Sequence, residues 1–442
     1  MPIIPLPINR VYLSHQISEP AFDASGGNLF YVRTADGRRS IVRQCLLSGL
    51  AQTVTTEPAP HGGVGYGSAL YALNERVLVY AGKDRRLHAV NLSSGEQWPA
   101  TPAYEGVAAP AISPCGRFVA FLSEQDGRCN VLLAGVRGSA LPVKISDDPW
   151  FAFNPAFSPD GARIAWQEWD REHMPWEVSR LKIGSFAKPT HLCQDGYELL
   201  PLGLSTVARD SASLGSPQFS PDGARLAYTS DETGWRSLWV AAGDGSQARR
   251  VDTGEGEIGR ADWVPGLIAM RWSGDSGSLY AVRHHESRDV LLQIDLSGGA
   301  AREIPMEWTK IDGLNGRGGS LAFVASNPWT PPRLLTLAAG EPATVARATD
   351  GVGLTNSDSL VRPEVVRWYS GASARVWGIL YRASDGDARR RPTIVYVHGG
   401  PTHEEMLAWD PQAQYFATRG WNYLLVNYRG STGFGRAYQD LL

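Results

Sequence analysis

Two short segments near the C-terminal end hold the residue types and spacings best suited to chemistry. His398-Gly399-Gly400-Pro401 follows the apolar run Thr393-Ile394-Val395-Tyr396-Val397, and Asn427-Tyr428-Arg429-Gly430-Ser431-Thr432-Gly433-Phe434-Gly435 comes about thirty residues later. A serine nucleophile on a strand-to-helix turn needs the pattern G-x-S-x-G, followed in chain order by an acid and a histidine. No serine here has glycine at both −2 and +2. Ser431, between Gly430 and Gly433, reads as part of a loop and takes no nucleophile role. Only His403 follows His398, and its place at the start of a helix-like stretch reads as solvated surface.

The remaining candidates are weaker. Glu168, Asp170, Glu172 and Glu177 form an acidic cluster, which reads first as a solvated rim with one or two ion pairs of little energetic weight. His284-His285 has no third ligand at a sensible spacing and reads as the exposed end of a strand rather than a metal site. Gly256–Gly259 and Gly313–Gly319 lack the strand-to-helix setting of a phosphate loop. Cys45, Cys115, Cys129 and Cys193 are scattered without C-x-x-C pairs and read as reduced, mostly buried thiols. No metal and no cofactor is expected.

The elements that must position these residues come in two styles. Near the C-terminal end, Val365–Tyr369 and Arg375–Tyr381 read as a hairpin around Ser370-Gly371-Ala372. Thr393–Val397 reads as a strand buried on both faces, Met406–Arg419 as a helix stopped by Gly420, and Trp421–Val426 as a second buried strand. Strand, helix, strand is the opening of an α/β domain. The rest of the chain repeats. Ser113-Pro114-Cys115-Gly116-Arg117-Phe118 recurs as Ser158-Pro159-Asp160-Gly161-Ala162-Arg163 and Ser220-Pro221-Asp222-Gly223-Ala224-Arg225, with a degraded copy from Ser273. Each copy is a tight turn, proline presetting φ and glycine taking a positive φ, and an alternating strand follows it. The starts lie 45, 62 and 53 residues apart, a blade-sized period. Weaker units around Leu29–Leu47, Ala69–Leu92 and Leu321–Leu337 bring the number to about seven. The expected fold is therefore mainly β: a seven-bladed β-propeller over 1–348, a linker at 349–363, and the incomplete start of an α/β domain over 364–442. Glu168–Glu177 and Cys193–Leu214 read as blade insertions at a rim.

Composition agrees with that inventory. Of 442 residues, 48 are Gly and 29 Pro, with 15 Trp and 16 Tyr, so tight turns and half-buried strands abound. A formal charge of −3 without a Lys/Arg run excludes a nucleic-acid or anionic-membrane surface as the main business. The N-terminus lacks a basic n-region and no run approaches a bilayer span, so a cytoplasmic protein is expected.

The two C-terminal motifs, in this order and behind a propeller with Ser-Pro-Asp-Gly repeats, resemble the prolyl oligopeptidase family of serine peptidases, in its acylaminoacyl-peptidase and dipeptidyl-aminopeptidase-like branch. Met174-Pro175-Trp176-Glu177 also resembles a blade segment of that branch. The resemblance implies an α/β-hydrolase domain after the propeller and an oxyanion loop in which Gly400 offers the backbone N–H, Gly399 shapes the loop, and His398 and Pro401 orient it. Glycine suits such a loop because a side chain would block the substrate carbonyl. It also implies that Glu168 and Glu172 could receive a substrate's amino terminus. The nucleophile elbow, acid and histidine are implied to lie beyond Leu442, so the chain is expected to be catalytically silent alone. Its open apolar sheet calls for completion, by a continuation or by a second polypeptide, before it can take a peptide substrate. The rival reading is a non-catalytic propeller scaffold for protein or peptide binding.

Overall fold

Each Ser-Pro-Asp-Gly segment closes the first hairpin of a four-stranded antiparallel sheet. In the computed structural model, which describes residues 5–7, 15–65, 67–186, 203–338, 344–348, 360–371, 374–383, 390–400 and 402–442, Ser158 Oγ donates to Asp160 (2.6 Å) and accepts the Arg163 N–H (2.9 Å). Gly161 takes φ +69° and its N–H returns to Ser158 O (2.9 Å). Ser220, Asp222, Arg225 and Gly223 (φ +71°) repeat the arrangement, and in the degraded copy Ser276 takes the left-handed position at φ +60°. Pro401, Cys193 and residues 349–359 of the expected linker lie outside the described residues.

Seven such sheets follow one another, at 15–53, 71–99, 106–144, 151–207, 214–250, 257–304 and 310–348. They are the seven blades of a β-propeller, each a simple meander. In the sixth, Glu257–Ile258 and Met270–Trp272 both pair with Ser278–His285. The core lies between blades, with one apolar cluster for every gap. Phe30 and Leu78 share the first, Val79 and Phe121 the second, Val131 and Trp166 the third, and Ile183 and Tyr228 the fourth. Leu238 with Leu279 and Leu291 with Phe323 follow. Tyr31 of the first blade and Leu334 of the seventh share the last. Neither of those two blades borrows a strand from the other, so packing alone closes the ring.

A second repeat, not read from the sequence, sits on the innermost strands. Glu19, Ala109, Asn154 and Ser216 have φ between +48° and +56°, each precedes a proline (Pro20, Pro110, Pro155, Pro217), and each lies at a break in strand register. Proline has no N–H for the ladder, so the strand bulges there. With Ala69 and Gly313 (φ +54° and +66°), Glu19, Ala109 and Asn154 ring an axial channel of about 240 Å³. The signal is visible as Pro-Ala-Phe, Pro-Ala-Ile or Pro-Gln-Phe just before each turn.

The C-terminal residues form an eighth sheet, in the order Glu364–Ser370, Ala374–Tyr381, Asn422–Asn427, Thr393–Val397, whose last pair is parallel. The helix between those parallel strands is Pro411–Ala417, capped by Asp410, which accepts the Ala413 N–H. It is shorter than the expected 406–419, because Met406 and Leu407 belong to a loop held by the propeller: Leu407 N–H donates to Ser287 O (2.8 Å). Ala413 and Ala417 cover Tyr381, Tyr423 and Leu425. Thr393–Val397 is an edge strand rather than one buried on both faces, with Val395, Tyr396 and Val397 55%, 42% and 59% exposed. Leu6, expected in an N-terminal extension of the propeller, packs with Leu360 and Trp409 beside this sheet, its N–H on Thr418 Oγ1 (3.2 Å). Among the described residues no helix is long and apolar enough to cross a membrane.

Because the seventh gap is closed by side chains only, truncating one of them tests the ring. Leu334→Ala removes a fully buried side chain and is expected to cost about 2–5 kcal/mol, read as a lowered urea midpoint in chemical unfolding.

Candidate functional site

Parallel pairing of Thr393–Val397 with Asn422–Asn427 brings their C-terminal ends together, so the two sequence motifs meet although some thirty residues separate them. That edge is where open parallel sheets bind ligands. The second motif builds the support of the first. The Tyr428 ring stacks on His398 with centroids 4.4 Å apart, and its hydroxyl donates to His398 O (3.1 Å). Ser431 Oγ donates to Tyr428 O (2.7 Å) and lies 2.9 Å from His398 Nε2. With its proton on Tyr428 O, Ser431 is open to accept from the imidazole, whose other nitrogen, Nδ1, lies 3.4 Å from Gly399 O. Burial holds the His398 imidazole below its ordinary pKa, so the ring serves as a neutral brace. Ser431 is 0% exposed, in keeping with a structural role.

The glycine loop itself is open. A Cβ on Gly399 would meet nothing within 4 Å, while Gly400 has φ +61° and a Cβ there would come 3.3 Å from the Trp263 ring. Both glycines line a cavity of about 760 Å³ between the C-terminal segment and the propeller, together with Arg260, Trp263 and Lys310 of the sixth and seventh blades. Trp263 also hydrogen-bonds Thr402 O through Nε1 and packs on Trp176, with centroids 4.3 Å apart. His403 lies in this loop, before the helix rather than in it. Its ring sits edge-on to His398 and its side chain is half exposed.

Residues just after the loop are gripped by the propeller through buried charges. Glu404 Oε2 lies 2.6 Å from His284 Nε2, and His284 Nδ1 lies 3.0 Å from Asp289 Oδ1. Arg260 joins Asp289, Asp312 and Glu404. Burial alone would depress the His284 pKa, but Glu404 and Asp289 outweigh it and push it up to about 10. His284 is thus an imidazolium, 1% exposed, and not the surface residue expected: the sequence shows the His-His pair but not the carboxylate brought from 120 residues away. Glu257, its pKa raised by burial, accepts the Gly433 and Gly435 N–H groups (3.1 and 3.2 Å). Arg436 reaches Asp231 (2.9 Å) and Glu177 O (3.1 Å).

The acidic cluster resolves differently from the expectation. Glu168 is 2% exposed and its carboxylate is occupied by Arg180 (2.8 Å) and the Trp166 indole N–H (3.2 Å). Glu172 is exposed in the following loop, its N–H on Asp170. Neither lines the cavity, because strand alternation turns Glu168 into a gap between blades. In the same segment Trp176 is buried while Arg171, Glu172, Met174 and Glu177 are exposed. Among the described residues no group of three or more His, Cys, Asp or Glu is placed to hold a metal ion.

No family model matches the chain. It is similar to a probable dipeptidyl-peptidase 5 of Aspergillus flavus, 24% identical over 344 residues that cover 72% of this chain and 45% of that protein. It is also similar to acylamino-acid-releasing enzyme 2 of Oryza sativa subsp. japonica, 26% identical over 202 residues covering 40% of this chain and 26% of the other. The crystal structure of puromycin hydrolase superposes with a TM-score of 0.84 at 25% identity, covering 98% of this chain and 70% of that one. The chain is a relative of the prolyl oligopeptidase peptidases. It spans less than half the length of these two curated relatives.

The buried charge cluster makes docking of the glycine loop on the propeller pH-dependent. Since the His284 pKa rises from 6.5 to about 10, its stabilisation is fully present below 6.5 and lost as pH climbs through about 10. Glu404→Gln is expected to cost about 3–5 kcal/mol at pH 7 by leaving buried charge unpaired. In urea unfolding the gap from the wild type should close as pH approaches and passes 10.

Proposed function

We propose that this chain supplies the propeller and the oxyanion-loop portion of a serine peptidase of the prolyl oligopeptidase type. In this reading residues 364–442 open an α/β-hydrolase domain and residues 15–348 form the gate beside it. The observation that carries it is the meeting of His398-Gly399-Gly400 with the Asn427–Gly435 loop at the C-terminal edge of two parallel strands, facing a cavity walled by the propeller. The substrates are short peptides with a free dipeptidyl, an oligopeptidyl or an acylaminoacyl end.

The chemistry follows from the parts. Attack on the scissile carbonyl develops negative charge on its oxygen, and a backbone N–H held in place is worth most there because it needs no reorganisation. Gly400 is the donor, and Gly399 leaves the approach open. His398, braced by Tyr428 and Ser431, keeps the loop from relaxing, and the Glu404 ion pairs fix the loop's far side to the propeller. Trp263 and Arg260 form the opposite wall and limit what reaches the loop. The attacking serine, its histidine and the acid come from polypeptide outside these 442 residues, which also covers the exposed edge of Val395, Tyr396 and Val397. Those exposed side chains favour completion by further hydrolase strands over a free-standing scaffold, since a continuous apolar strand edge is otherwise an association hazard.

Two outcomes test this. The purified chain should neither turn over aminoacyl or acylaminoacyl chromogenic substrates nor take up a fluorophosphonate probe; labelling of any serine sinks the proposal. Co-expressed with a polypeptide carrying the G-x-S-x-G elbow, acid and histidine of a relative, it should gain activity, and Gly400→Ala, which strains the positive φ and displaces the N–H, should then lower kcat/KM by about 10²–10³. Lack of gain in the presence of a folded complex would favour the scaffold.

A further inference from the structure

A second cavity, of about 870 Å³, lies apart from the one beside the glycine loop. It opens on the other face of the propeller. Turns between the second and third strands of the blades meet the C-terminal segment, as at Asp231, Ser287 and Pro328. In an antiparallel meander the first and third turns of each blade must therefore emerge on the far side. This cavity is lined by those turns: Ala24 of the first blade, Asn74–Val77 of the second, Pro114–Phe118 of the third and Arg317 of the seventh.

Its chemistry is uneven for a chain of net charge −3. Four arginines, Arg76, Arg117, Arg137 and Arg317, face one carboxylate, Glu75. Among the described residues, ion pairs with carboxylates engage many arginines elsewhere in the propeller, such as Arg38 with Glu57 and Arg180 with Glu168, but none of Arg76, Arg137 and Arg317. Two of these guanidiniums are nonetheless held in place. Arg317 Nε donates to Ala24 O (2.8 Å), tying the seventh blade to the first, and Arg137 lies over the Trp98 ring at 4.7 Å. The Trp98 indole is itself fixed, its N–H on Val136 O (2.9 Å). These contacts use the Nε of one group and the flat face of the other, and leave terminal N–H groups for a ligand. Guanidiniums that outnumber the carboxylates of a concave site focus a positive potential there. Guanidinium forks match phosphate oxygens in pairs.

We propose that this cleft binds a multivalent phosphate ligand on Arg76, Arg137 and Arg317, independently of the glycine-loop site and of the reading given to it. Isothermal titration of the full chain at low ionic strength with sodium tripolyphosphate and with ATP tests it. The expected result is saturable binding of one equivalent below about 1 mM, weakened at least tenfold in the Arg76→Ala/Arg137→Ala double variant and less than twofold in Arg38→Ala. ATP binding tighter than tripolyphosphate identifies a nucleotide; equal binding identifies an inorganic polyphosphate. A second readout does not depend on any variant folding. Cys115 is exposed in the cavity lining, so tripolyphosphate should slow its alkylation by N-ethylmaleimide, mapped by mass spectrometry, while leaving Cys45 outside the cleft unaffected. No saturable binding below 1 mM, unchanged affinity in a folded double variant, or no protection of Cys115 overturns the proposal.

Discussion

Every blade of this molecule is a sheet that is apolar on both faces, and that single constraint organises the rest. Residues that alternate along one strand, such as Ala165 and Trp166 or Ala227 and Tyr228, fall into the apolar clusters on opposite sides of their own sheet. A sheet of this kind needs a neighbour on each side, and a closed ring is the arrangement that gives every blade two. The ring is sealed by Tyr31, Val42, Val324 and Leu334 rather than by a shared strand. Closure then fixes which turns point to which face, and so separates the face that holds the C-terminal segment from the one lined by arginines.

The joint between propeller and C-terminal segment is built on a different principle. It is rich in charge: His284, Glu404, Asp289 and Arg260 on one side, Glu257 on the Gly433 and Gly435 N–H groups and Asp231 with Arg436 on another. Such groups gain little net stability over well-packed apolar ones, but removing one partner leaves the other charge buried and uncompensated. The glycine loop is thereby held at two levels. Tyr428 and Ser431 brace His398 from within the eighth sheet, and Glu404, a few residues on, is anchored in the sixth blade. Under the proposed oxyanion role that rigidity matters, since a displacement of about 1 Å is already costly in such sites.

The repeats were legible because their chemistry is local. Ser, Pro, Asp and Gly act within five residues of one another, and Ser158, Asp160 and Gly161 make the turn their order implies. The inner-strand bulges at Glu19, Ala109, Asn154 and Ser216 are equally local, and the proline after each was in view. The edge position of Thr393–Val397 was not, because an apolar run states that burial is wanted without stating what will cover it. His284 was misjudged for a related reason: its partner Glu404 is remote in sequence, and a histidine pair at a strand end looks the same whether it meets water or a carboxylate.

The sequence by itself determined the blade period, the propeller, the strand-helix-strand start after it and the two C-terminal motifs, since each rests on turn residues, alternation or a short contiguous pattern. Tertiary structure alone decided that the second motif is the scaffold of the first, that Glu168 turns away into a blade gap while Glu404 and His284 lock the loop, and that four arginines from three blades share one cleft. Those are outcomes of side chains converging across a closed ring and across parallel strands, and no local pattern encodes which distant residue will arrive opposite.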